Sequence, residues 1–87
     1  MKIPTIHNNG TSREVLLNDA DEAIDAITIF VKQFRSMTPH ARDYYPQGVR
    51  ALLDAMSEHR VLMDRAISIQ KELRDYVEAI SEQESSK

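Results

Sequence analysis

From Val49 to Ile80 the chain contains no glycine and no proline, and its apolar residues recur in alternating steps of three and four. Val49, Leu52, Met56, His59, Met63, Ala66, Gln70, Leu73, Val77 and Ile80 therefore fall on one line of a helix. The repeat demands a single long helix whose seam resembles a coiled coil with two polar insertions, His59 and Gln70. This second helix is expected over about residues 47–81, beginning near Pro46 or Gly48, because proline is tolerated in a first turn.

A helix with one apolar line needs a partner, and the upstream sequence supplies it. Thr11-Ser12-Arg13-Glu14 announces a helix start: Thr11 or Ser12 can cap the free amides, and Thr11-x-x-Glu14 fits a reciprocal capping box. Leu16, Ala20, Ala23, Ile27, Phe30 and Phe34 then form an apolar stripe, widened by Leu17, Ile24 and Val31, while Ala26 and Ile29 lie off it. Thr38-Pro39 ends this helix, since the residue before proline is pushed out of helical geometry. The first helix thus spans about 12–37, and Met37 to Gly48 reads as a polar, aromatic loop. Residues 1–10, with Pro4 and the turn-prone His7-Asn8-Asn9-Gly10, read as an extended arm, and 82–87 as a frayed tail.

The expected fold class is all-α: one helical domain, 1–87, built as an antiparallel hairpin. A chain of 87 residues buries only about 60–65% of its unfolded surface, so the core is thin. At 1.5 Å per residue the helices measure roughly 36 and 50 Å, so the second should overhang by about two to three turns. On that reading Leu73, Val77 and Ile80 lack an intrachain partner, and Leu53, Leu62, Ile67, Ile69 and Tyr76 fall outside the seam. Assembly into a helical-bundle homo-oligomer, a dimer or higher, would cover both groups.

Several function classes are disfavoured. There is no cysteine, hence no disulfide framework, thiolate metal site or cysteine nucleophile. The start Met1-Lys2-Ile3-Pro4-Thr5 has no apolar signal core, and no run approaches the roughly 18 apolar residues of a membrane span, so a cytoplasmic protein without membrane contact is expected. A net charge of -3 and the acidic end at Glu78, Glu82 and Glu84 argue against a nucleic-acid polymer as partner. His7, His40 and His59 are scattered without ligand spacing, and no nucleophile elbow, phosphate loop or paired inward carboxylates occur. No metal, cofactor or catalytic residue is therefore expected, and the four methionines serve initiation and packing.

Three groups of residues are candidates for function, two of them loop motifs richer than helix packing requires. His7, Asn9, Gly10, Thr11 and Ser12 form a turn opening onto a helix N-terminus, where amides and the helix dipole favour a phosphate or carboxylate, although capping alone accounts for Thr11 and Ser12. Arg42, Tyr44 and Tyr45 place a cation and two aromatics beside a helix start; Arg can fork onto phosphate and Tyr can stack on a base, or the loop can be a plain connector. His59 sits on the seam, where a buried, hydrogen-bonded histidine is the ordinary outcome. In an antiparallel hairpin the turn and the loop lie at opposite ends, about 35 Å apart. One ligand reaches both only if the arm runs back along the hairpin or a symmetry axis brings in a second copy.

At Ile6-His7-Asn8-Asn9-Gly10-Thr11-Ser12-Arg13-Glu14, Arg42-Asp43-Tyr44-Tyr45-Pro46-Gln47-Gly48 and Glu58-His59-Arg60 the chain resembles a family of small, uncharacterised bacteriophage and prophage proteins. The resemblance covers nearly the whole chain and implies a phage origin, hence a host-cell cytoplasm, without implying an activity. Small helical phage proteins include some that sequester cyclic-nucleotide immune signals and others that block host proteins by contact. By that analogy the expected function is capture of a small phosphorylated ligand to counter host immunity. The alternative is a protein-contact module, an inhibitor or adaptor of a host or virion protein that takes no small ligand.

Overall fold

The computed structural model describes residues 1–83. Among them every regular element is helical: α1 is Arg13–Arg35, α2 the single turn Ala41–Tyr44, and α3 Val49–Glu82, with a 3-10 turn at Tyr45–Gln47 between the last two. The two long helices pack antiparallel into a rod of 65 × 18 × 17 Å. Its radius of gyration, 19.1 Å, far exceeds the roughly 12 Å of a globular chain of this length. No helix among the described residues is long and apolar enough to cross a membrane.

Ser12 is the cap of α1: its backbone is extended and its hydroxyl accepts the Val15 amide at 3.2 Å. That register puts Glu14 in the second helical position, so the Thr11–Glu14 capping box is not formed; Ser12, one residue later, takes the amide instead. The helix stops at Arg35 rather than Met37. Ser36 and Thr38 turn their hydroxyls back onto the carbonyls of Gln33 and Arg35, at 2.5 and 2.6 Å, and their own backbone amides donate to the same two carbonyls, at 3.1 and 3.2 Å, tightening the last turn. The connector is more ordered than a loop, since Ala41–Tyr44 is a helical turn and Pro46 sits in the following 3-10 turn. Gly48 then resets the chain at φ 98, ψ 167, a conformation reserved for glycine, and α3 starts at Val49.

The core is as thin as the length implies: among the described residues only Ala20, Val31, Ala66 and Ile80 are buried hydrophobics. On α3 the seam from His59 to Ile80 faces α1, with its members buried or half-buried, whereas Val49 and Met56 at the near end stay exposed. On α1 the inward line is Leu16, Ala20, Ile24, Ile27, Val31 and Phe34, which leaves Ala23 and Phe30 of the expected stripe outside. Two contacts mark the register: Phe34 stacks on His59 with ring centroids 4.4 Å apart, and Gln70 donates to Thr28 Oγ1 at 2.9 Å.

The overhang lies at the opposite end from the one expected. Ile80 is 0% exposed, and Arg13 donates to the Gln83 carbonyl, so the start of α1 sits on the last turn of α3. It is the first turns of α3, from Val49 to about Glu58, that project beyond α1, covered only by α2 and the 3-10 turn. The physical cause is the long connector: thirteen residues from Ser36 to Gly48 let α3 begin well past the end of α1. The arm closes the other end. Gln83 donates its amide to the Pro4 carbonyl at 2.8 Å and accepts the Ile6 amide at 2.7 Å, while the Met1 ammonium lies 3.3 Å from Glu72. Glu82 and Gln83 are thus part of the folded end rather than a frayed one; the rest of the expected tail, 84–87, lies outside the described residues.

Candidate functional site

The turn at the arm's end forms because the Gly10 amide donates to the His7 carbonyl at 3.2 Å, reversing the chain just before Ser12. The His7 ring folds back over Gly10, and a Cβ on that glycine would meet His7 Nε2 at 2.7 Å. His7, Asn9, Gly10, Thr11 and Ser12 are all exposed, and of their side chains the Ser12 hydroxyl is engaged with a backbone amide. They stand at the α3 C-terminal end of the rod, beside Gln83.

The second group is built at the projecting end. The α2 turn and the 3-10 turn seat Tyr44 half-buried against the start of α3 and leave Arg42 and Tyr45 exposed. Tyr45 is 84% exposed, and the ion pairs formed among the described residues do not involve Arg42. Between this turn and α3 lies an open cleft of about 450 Å³ bordered by Tyr44, Gln47 and His59, with the carboxylates of Asp54 and Glu58 on its α3 wall. Asp54 is held by Arg50 at 3.4 Å. An acidic wall suits hydrogen-bond donors or a cation rather than an anion, and Arg42 and Tyr45 are not among the residues that border it.

His59 belongs to the seam. Its ring is sandwiched onto Phe34, and Nε2 lies 2.8 Å from the Phe34 carbonyl. A carbonyl only accepts, so Nε2 carries the proton and shares the Phe34 carbonyl with the Met37 amide, which donates to it at 3.0 Å. One edge still borders the cleft, which places His59 near Tyr44 but with its donor already used.

The fold therefore brings Tyr44 and His59 together, with Arg42 and Tyr45 close in the chain, and holds the 7–12 turn apart at the other end of a 23-residue helix, roughly 35 Å away. The arm does not bridge that distance, because from Gln83 it runs back only as far as Glu72. Sequence reasoning carried Gln47 within the Arg42–Gly48 motif without a role of its own, and missed Asp54 and the Gln83 clasp. Asp54 and Glu58 are four apart on a helix, so a wheel of α3 would have put both carboxylates on one flank next to the tyrosine loop. Among the described residues no cluster of three His, Asp or Glu side chains is arranged to hold a metal ion. Comparisons with protein-family models, with curated proteins and with solved structures return no match to this chain.

Proposed function

We propose that this chain is a binding protein of phage type, acting as a homo-oligomer in the host cytoplasm, that captures a small phosphorylated ligand of the cyclic-nucleotide class and so withdraws it from host immune signalling. The observation that carries the reading is that Arg42 and Tyr45 are exposed at the free end of the rod, where packing makes little use of them. Arg42 supplies a planar fork for a phosphate, and the adjacent phenol ring supplies a stacking surface for a base, so affinity needs no chemistry on the ligand. His7, Asn9, Thr11 and Ser12 form a second polar cluster at the other end, open to solvent in the same way.

The test is calorimetry and thermal shift against cyclic dinucleotides, cyclic trinucleotides and cyclic ADP-ribose isomers at physiological salt. Binding that is lost in Arg42→Ala and weakened at least tenfold in Tyr45→Ala is expected. A folded protein that binds none of them removes the reading.

The alternative, a protein-contact module, is favoured by a different observation. Val49, Leu53 and Met56 follow one another at helical spacing on the projecting end and are all exposed, with Val49 at 74%. A host or virion polypeptide would dock there without a small ligand. A stoichiometric partner whose capture is lost in Leu53→Asp and kept in Arg42→Ala is the outcome specific to that reading.

A further inference from the structure

We infer that a second copy of this chain packs on the face formed by Phe30, Leu62 and Ile69, with the two-fold axis along the rod, to make an all-antiparallel four-helix bundle. The amount of exposed surface motivates the second copy. The chain exposes 6849 Å², whereas a compact monomer of 10.0 kDa exposes about 5,200 Å². The excess, about 1,600 Å², is twice what each partner of a standard interface gives up, about 800 Å². A rod only 18 × 17 Å across has no way to bury it alone.

The position of the face follows from the register. Successive helical residues are rotated by about 100°. The Thr28–Gln70 hydrogen bond closes one side of the α1–α3 seam. Phe30, two residues on from Thr28, points to the other side, as do Leu62 and Ile69, whose line ends at Tyr76, where the arm's Met1 and Ile3 adjoin it. These three are 48, 47 and 51% exposed although each lies next to the seam. With Phe34 opposite His59 and Thr28 opposite Gln70, Phe30 stands level with about Ala66, midway between Leu62 and Ile69.

An axis along the rod keeps those levels and sets α1 of one copy against α3 of the other. Phe30 then enters the space between Leu62, Arg65, Ala66 and Ile69 of the second copy, the four-residue hole that a knob requires. Ala23 and Ala26 lie on the same flank of α1 and let the backbones approach. Charge selects this axis over one across the rod. A crosswise axis would set α3 on α3, juxtaposing Arg65 with its own copy and Glu58 with Glu72, whereas the lengthwise axis sets α3 against α1 and keeps those pairs apart.

This assembly does not depend on what the loops bind, and it has a consequence for them. Both Arg42–Tyr45 loops come to one end of the bundle and both 7–12 turns to the other, so the turn and the loop do not share a site within the dimer.

Light scattering of the full chain at micromolar concentration should give the mass of two chains, or an even multiple. Phe30→Glu and, separately, Ile69→Lys should halve it with the circular-dichroism helix signal kept, whereas Ile29→Glu, on the outer side of α1, should leave it unchanged. A wild-type monomer overturns the proposal, as does a dimer indifferent to both face substitutions. Because the chain has no cysteine, introduced thiols report the axis. Ala26→Cys on one copy mixed with Ile69→Cys on another should form a covalent dimer on oxidation. If Leu62→Cys mixed with Ile69→Cys crosslinks instead, the axis runs across the rod and the arrangement is wrong. Absence of any nucleotide binding by a dimer that passes these tests would remove the proposed function and leave the dimer standing.

Discussion

A histidine in an apolar seam must place a ring nitrogen on a partner, and the end of α1 offers one, the Phe34 carbonyl 2.8 Å from Nε2. The same ring stacks on Phe34, so His59 fixes where α1 ends against α3. His59→Phe keeps the stack and loses the hydrogen bond, which should cost about 1–2 kcal/mol by urea denaturation. His59→Ala loses both and should cost about 2–4 kcal/mol. A loss below about 0.5 kcal/mol in both would mean that the seam does not depend on the imidazole. Gly48 is the other residue whose identity the backbone demands. Nothing stands within 4 Å of a Cβ there, so Gly48→Ala isolates the cost of φ 98, about 1–3 kcal/mol, and the same denaturation experiment reads it. Gly10 differs: its Cβ would strike only the His7 ring, a movable side chain, so Gly10→Ala should swing the imidazole away with little loss of stability.

At the scale of elements, both long helices were legible because a three-four repeat has one interpretation, and the ends of α1 came within two residues because Ser12 and Pro39 are strong punctuation. What misled was length arithmetic. Subtracting one helix from the other gives the size of an overhang but not its end, and only the Arg13–Gln83 and Phe34–His59 contacts assign it to the start of α3. The α2 turn was hidden because Ala41–Tyr44 is too short to show a period. The composition of the two loop motifs was readable, whereas the acidic wall that Asp54 and Glu58 add beside Tyr44 depends on how the connector folds back. The arm's attachment was also illegible, since a glutamine near a chain end carries no local signal. Its clasp makes a prediction: Gln83→Ala removes both hydrogen bonds to the arm and should cost about 1–3 kcal/mol. Amide hydrogen exchange at Ile6 should quicken while α1 and α3 stay protected; unchanged protection at Ile6 would show that Ile3 and Ile6 hold the arm without the clasp.

For the whole molecule, the proportion of surface to core decides the behaviour. Four buried hydrophobics among the described residues leave little to oppose the entropy of ordering two long helices, so the stability of the free chain must be small. Association of two such rods stabilises the folded state by mass action, and the unfolded chain does not share in it. The melting temperature should then rise with protein concentration, by several degrees between about 1 and 100 μM, since a hundredfold change is worth about 2.7 kcal/mol per dimer. In Phe30→Glu the melting temperature should be lower and independent of concentration, because unfolding has become unimolecular. Scanning calorimetry of the two proteins over the same range separates the cases. A wild-type transition that does not move with concentration would mean that four buried side chains and a thirteen-residue connector stabilise the hairpin without a second copy.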